Sequence, residues 1–176
     1  MPSTGSRIML PSSEECAEGT RTLTRVWACA PRLLAAQQPY RDHLRDGSVL
    51  PRRDQELAVL RIGYRCGSPY EFGQHTRIAK KVGVSDAEIL STTAAVGSHT
   101  GDTGLLMRVT DELYDFGTIQ EETWRELTDR FTDEQIIELI SVIGRYWTIS
   151  VLANALHLPL EPDNPGFPDS RSESSR

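Results

Sequence analysis

Apolar residues in this chain recur at three- and four-residue spacings rather than in alternation, and the runs are punctuated as helices are, with Ser, Thr or Pro at their starts and Gly at their ends. The pattern predicts an all-α protein with no convincing strand and no fixed-period repeat. Ser12 and Glu15 have the spacing of a capping box for a helix reaching about residue 28, with Leu23, Val26 and Trp27 along it. A second helix is expected from about Pro31 to Arg45, carrying Leu33, Leu34, Gln37, Tyr40 and Leu44 near one face, with Pro39 placed to kink or split it. Pro51 and the break Gly67-Ser68-Pro69 mark out two helices, about 51–66 and 69–82, folded back on each other. Ser85 and Glu88 form a further capping box, opening a short helix to about residue 95, and the polar, Gly-rich stretch 97–104 reads as a loop that holds His99.

Three more helices follow. One, about 103–116, places Leu106, Val109, Leu113 and Phe116 on an apolar face; the next, about 118–131, turns Trp124 and Leu127 inward; Thr132 and Gln135 cap the last and longest, about 133–156. That last helix is apolar around most of its circumference, from Ile136 and Ile137 through Trp147 to Leu152, and is expected to be buried on several sides by its own domain or by another subunit. Its polar groups Arg145, Tyr146 and Asn154 either satisfy the core or line a pocket. Residues 1–12 read as an irregular arm, 13–158 as a single helical domain, and the Pro-rich then Ser/Arg-rich stretch 159–176 as an extended disordered tail.

Polar residues interrupt the apolar pattern most sharply in the paired helices. Glu71, His75, Ile78 and Val82 share one face of the second, so an acid and an imidazole break an apolar seam. Burying them without partners would cost several kcal/mol. A surface ion pair beside the core is one reading; the other draws on Glu56, whose neighbours Val59 and Leu60 turn a third polar group towards the same interior. Ser68 and Glu71 also have capping-box spacing, and a Glu71 side chain drawn back to Ser68 would leave Glu56 as the partner of the imidazole.

Glu56, eleven residues, Ser68, two residues, Glu71, three residues, His75: this spacing resembles the carboxymuconolactone decarboxylase and alkylhydroperoxidase D-like (AhpD-like) superfamily, whose peroxidase members carry Glu-x11-Cys-x-x-Cys-x3-His. Here Ser68 and Glu71 stand at both cysteine positions. Dithiol peroxidase chemistry needs a low-pKa thiolate and a resolving thiol, and Cys66 lies two positions early with no partner nearby in sequence. The wording Tyr70-Glu71-Phe72-Gly73-Gln74-His75 is similar to the decarboxylase-like branch that lacks the cysteine pair, and the resemblance covers about residues 35–160. It implies an AhpD-like helical bundle assembled into trimers or hexamers, and decarboxylation of a small carboxylated unsaturated lactone or related anion without metal or organic cofactor. In that reading His75 donates and accepts the proton and Glu56 or Glu71 orients the ring. Arg61 or Arg65 holds an anionic group of the substrate, with Tyr70 and Ser68 completing the candidate binding set. The same acid/base group fits isomerisation or cyclisation equally well. A thiol-dependent antioxidant using Cys66 alone, and a non-catalytic binding protein, are the readings from other classes.

Charge and composition narrow the partners. The 176 residues, 38% hydrophobic, are enough for one domain with a sizeable core, and the net charge of −6 argues against a nucleic-acid footprint. Arg52, Arg53, Arg61 and Arg65 form a local exception, either a solvated helix face paired with Asp54 and Glu56 or an anion subsite. Cys16, Cys29 and Cys66 have neither disulfide-framework nor zinc-ligand spacing, the first residues contain no signal-type apolar region, and no run reads as a membrane span. A cytoplasmic protein acting on a small anionic molecule is the expectation, with no metal, nucleic-acid or membrane partner.

Overall fold

The computed structural model describes residues 5–11, 21–98 and 101–168; the Ser12–Glu15 capping box, His99 and the end of the tail fall outside them. Among the described residues there are eight α-helices and no strand: α1 Thr22–Ala28, α2 Pro31–Asp42, α3 Arg52–Arg65, α4 Pro69–Lys81, α5 Asp86–Ser91, α6 Gly101–Phe116, α7 Glu121–Arg130 and α8 Asp133–Ala155. α2 runs through Pro39 unbroken and widens into a π-helical turn over His43–Gly47. Both inner capping boxes form, Ser85 with Glu88 and Thr132 with Gln135.

α3 is the centre of the bundle and packs against α4, α6 and α8. Every residue from Asp54 to Gly63 is buried, although half of α3's sequence is polar. Such a helix is tolerated only where each buried polar group is paired. Arg130 Nη2 donates to Asp54 Oδ2 at 3.0 Å, and Gln55 Nε2 donates to the Leu50 carbonyl and to Ser48 Oγ, each at 2.9 Å. Between these groups Leu57, Leu60 and Ile62 join Phe72, Leu106, Val109, Leu127, Leu139 and Ile143 in one core.

The reversal between α3 and α4 needs a left-handed residue, supplied by Gly67 at φ +61°, after which Ser68 caps α4 and Pro69 occupies its first turn. Gly63 then lets the two helices approach closely: a Cβ there would lie 3.4 Å from the Phe72 backbone nitrogen.

Four expectations are corrected. α2 buries none of its residues, and Leu33 and Tyr40 are exposed; only Leu44, in the π turn, reaches the core. Leu106, Val109 and Leu127 turn inward as expected, but Phe116 and Trp124 face outward, at 66% and 40% exposure, and Leu105 and Thr123 are buried in addition. α8 packs against α3, α4 and α7, and its remaining apolar stripe, Ile137, Ile140, Trp147 and Val151, is open in the single chain, where the expectation allowed either the domain or another subunit to cover it. By length and hydropathy alone α8 is also apolar enough to cross a membrane, contrary to the sequence reading, but 44% of its most apolar window is buried inside the bundle. Finally, residues 159–168 of the expected tail pack onto α4. Asn164 Nδ2 donates to the Tyr70 carbonyl at 2.9 Å and lies directly on Gly73, while Phe167 packs edge-on to Tyr64 and against Phe72. Prolines at 159, 162, 165 and 168 restrict this segment before it docks, so ordering it costs less entropy than its composition suggests.

Candidate active site

The two helices around Gly67 bring their acids and the imidazole together. Glu56 and Glu71 flank His75, whose Nδ1 lies 2.6 Å from Glu56 Oε2 and whose Nε2 lies 3.1 Å from Glu71 Oε1. Arg52, one turn before Glu56, places Nη2 2.6 Å from Glu56 Oε1. The chain of groups Arg52, Glu56, His75, Glu71 thus alternates in charge. All but Arg52 are buried, Glu56 completely. Carboxylates only accept hydrogen bonds, so a ring engaged by one on each nitrogen donates from both and is an imidazolium. Burial works against that cation, but the Glu56 carboxylate foremost, with Tyr146 and the bonds to Glu56 and Glu71, outweighs it and holds the His75 pKa well above the usual imidazole range. The Tyr146 ring packs edge-on to the imidazole with centroids 4.6 Å apart.

Glu71 is free for this role because the capping box with Ser68 does not form. Ser68 Oγ accepts from the Glu71 backbone nitrogen at 3.5 Å, but the Ser68 nitrogen donates to the Gly63 carbonyl, so nothing draws the Glu71 carboxylate back. Its Oε2 has no hydrogen-bond partner among the described residues, a costly state for a buried oxygen.

Above the cluster opens a cavity of about 310 Å³, walled by α1, α2, the π turn, α3, α4 and α8. Glu71, His75, Tyr70 and Arg52 line it, joined by Arg21, Arg41, Arg45 and Arg145, by Gln55 and Gln74, and by Trp27, Ile78 and Tyr146. Five guanidinium groups and a single carboxylate face this space. Tyr70 contributes a wall rather than a free hydroxyl: its Oη donates to Glu161 Oε1 at 2.8 Å and accepts from the Leu23 nitrogen at 3.0 Å. Burial pushes that hydroxyl's pKa far up. Glu161 also accepts from the Thr22 nitrogen and from Gln74 Nε2, so the docked tail pins α1 over the cavity.

Three members of the expected binding set lie elsewhere. Arg61 is fully buried on the opposite side of α3, gripping Asp111 with two bonds of 2.7 Å and the carbonyls of Thr92 and Ala94 with 2.8 Å bonds. Arg65 reaches Asp111 and Asp115 and stacks on Tyr114. Ser68 is wholly buried beneath the α3–α4 turn and does not line the cavity. Asn154, one of the polar groups of α8, donates to the Cys66 carbonyl at the end of α3, a structural role, whereas Arg145 and Tyr146 are cavity wall. The arginines that do face the cavity were hidden because they come from five separate places, the start of α1, α2, the π turn, α3 and α8; only Arg52, four residues before Glu56, carried a local signal.

Cys66 is half-buried and its thiol is pushed up to about 11, chiefly by burial, against the pull of Ser150 and Arg65. Among the described residues no group of three His, Cys, Asp or Glu side chains is arranged to hold a metal ion.

The buried acid/imidazole cluster sits at the central hairpin of an all-helical bundle, an architecture also seen in solved AhpD-like proteins. Two solved structures share the fold. One is a protein of unknown function from Agrobacterium tumefaciens described as an AhpD-type antioxidant defence protein, with 20% identity over 77% of this chain and 97% of that one and a TM-score of 0.65. The other is an uncharacterized peroxidase-related protein from Silicibacter sp. TM1040, with 15% identity over 86% of this chain and 82% of that one and a TM-score of 0.71. Residues 31–106, which hold Arg52, Glu56, Glu71 and His75, match the sequence model of the carboxymuconolactone decarboxylase family. The match covers the central part of the chain, and the two solved structures share its helical fold. No curated protein matches it significantly in sequence.

Proposed function

We propose that the chain is a decarboxylase of the carboxymuconolactone decarboxylase type, releasing carbon dioxide from a small carboxylated unsaturated lactone or related anion by proton transfer at His75, with no metal or organic cofactor. The observation that carries this reading is the buried alternation Arg52, Glu56, His75, Glu71 beneath an arginine-lined cavity. As the bond to the carboxylate breaks, its electron pair moves into the conjugated carbonyl and leaves a dienolate, and a carbon must then take up one proton. Both ring nitrogens of His75 are engaged, so the proton's route from the ring runs through Glu71, the carboxylate that lines the cavity. Glu71 takes the proton from Nε2 and passes it to the carbon, leaving the ring neutral, while Glu56, held by Arg52, keeps the ring in place. Solvent then returns the proton consumed. The guanidinium groups around the cavity favour both the anionic substrate and the dienolate.

A thiol peroxidase is disfavoured by residues of this chain. Ser68 and Glu71 occupy the positions where the dithiol members carry cysteine, and the Cys66 thiol, at about 11, is almost wholly protonated near neutral pH. The reading includes a cytoplasmic homo-oligomer, with the open stripe Ile137, Ile140, Trp147 and Val151 on α8 as apolar surface for a second copy. The test is carbon dioxide release from a panel of small carboxylated unsaturated lactones in D2O. One deuterium per carbon dioxide is expected in the product, at the carbon that lost the carboxylate or at a position conjugated to it. Peroxide reduction that depends on Cys66, with no carbon dioxide from any lactone, would overturn the proposal.

A further inference from the structure

Resting on that reading, we infer that the α2–α8 side of the cavity is a carboxylate subsite, built by Arg145 and Arg41 with Gln37 as the positioning residue. The cavity's guanidinium groups are not equivalent. Arg21 is paired with Asp163 at 2.7 Å, Arg45 with Asp46 at 2.7 Å and Arg52 with Glu56 at 2.6 Å. Arg145 has no carboxylate partner among the described residues. Its Nη1 donates to Gln37 Oε1 at 3.3 Å, and its guanidinium lies 5.7 Å from the centre of the Tyr40 ring, itself fixed by a 2.8 Å bond from Tyr40 Oη to the Ser141 carbonyl.

Two further donors lie on one face of α2, four residues apart, Gln37 against Arg145 and Arg41 in the cavity wall. Gln37 Nε2 and Arg41 Nε are both buried with no acceptor among the described residues. Arg41 Nε is 3.6 Å from Asp42 Oδ1, beyond hydrogen-bond reach, and both Asp42 oxygens already accept from Gln38 Nε2. Buried donors with no acceptor are costly, and an unneutralised guanidinium held in position beside them adds a positive field. A compact oxyanion with in-plane acceptor oxygens fits the two guanidinium groups that line the cavity here, Arg41 and Arg145, while Gln37 holds Arg145 in position. A carboxylate is that group, and Arg145, directly before the Tyr146 that packs on His75, places it within the same cavity as the proton-transfer cluster.

The experiment is calorimetric binding to the full chain of sorbate, a planar unsaturated carboxylate, its neutral amide sorbamide, and inorganic phosphate. Wild type is expected to prefer sorbate over both. Arg145→Gln should weaken sorbate roughly ten- to hundredfold, the loss of charge-assisted hydrogen bonds, and leave sorbamide unchanged. If Arg145→Gln fails to fold, as judged by its helical circular dichroism, Arg41→Gln carries the same test. Equal binding of sorbate and sorbamide, absence of sorbate binding, tighter binding of phosphate than of sorbate, or a sorbate affinity unmoved by the substitution would overturn the subsite. Sorbate bound through Arg145 by a protein that decarboxylates nothing would leave the subsite standing and remove the decarboxylase reading.

Discussion

Glu56→Gln probes the charge logic of the site with the smallest change of shape. Glu56 is completely buried between Arg52 and His75 and is the carboxylate nearer the ring, at 2.6 Å. Glutamine keeps the volume and one oxygen to accept from Nδ1, but removes the charge that compensates two buried or half-buried cations. Breaking a buried ion pair from one side costs about 3–5 kcal/mol, and the retained acceptor places this variant at the low end, about 3 kcal/mol. In a domain of this size about 1 kcal/mol moves Tm by roughly 2–4 °C, so a fall of about 6–12 °C is expected. The effect also has a pH signature. The folded pKa of His75 is raised above its unfolded value of 6.5, so its contribution to stability is fully present below that value and is lost as pH rises through the folded pKa. Glu56→Gln lowers the folded pKa, so the gap between wild type and variant should be widest near pH ~6 and narrow towards alkaline pH. Thermal and urea unfolding at several pH values, with an NMR titration of the His75 ring, measures this directly. A gap below about 1 kcal/mol near pH ~6, or one that widens as pH rises, would refute the reasoning.

Arg61→Met should strand Asp111 without its bidentate partner and destabilise the fold by about 3–5 kcal/mol in urea unfolding, while the activity of the folded fraction is unchanged; adding Asp111→Leu should recover much of the loss. Gly73→Ala places a methyl 1.8 Å from Asn164 Oδ1 and should expel the docked tail, seen as protease cleavage near residues 159–168 and a stability loss of about 1–3 kcal/mol. The pKa of Glu161 is lowered by the bonds it accepts from Thr22 and Tyr70, which outweigh its burial, so its contribution is present above its unfolded value and lost as pH falls through the folded one. Glu161→Gln should therefore weaken the tail's hold on α1 at neutral pH and leave the acid limb of a stability profile less steep, checked by thermal unfolding across that limb.

Helix boundaries were legible because they are written locally. Ser85 with Glu88, Thr132 with Gln135, and Gly67-Ser68-Pro69 each act through backbone groups a few residues away, and each formed as its spacing implied, apart from the Ser68–Glu71 exchange of side chains. The meeting of Glu56 with His75 was legible for a related reason: a short turn between two helices leaves few ways to pair their buried polar groups. What each helix faces was far less legible. Hydrophobic content marked α8 for burial on several sides, but gave no sign that α3 holds the centre with Asp54, Gln55, Glu56 and Arg61 buried, because pairing rather than apolarity licenses their burial. Arg61 was separable from Arg52 in principle. Nine residues at about 100° each bring a side chain to the opposite face, so an arginine beside Glu56 and one at Arg61 cannot serve the same cavity. Arg41 and Arg145 gave no such local sign, since their neighbourhood exists only once α2 and α8 are side by side.

The central claim is that His75, charged and held between two carboxylates, supplies the proton for the reaction. Steady-state kcat/KM for decarboxylation by wild type and His75→Gln, measured side by side on samples with matched helical circular dichroism, tests it most directly. Removal of a positioned acid/base group is expected to lower the rate by roughly 10²–10⁴-fold. A glutamine variant that turns over at the wild-type rate would contradict the account.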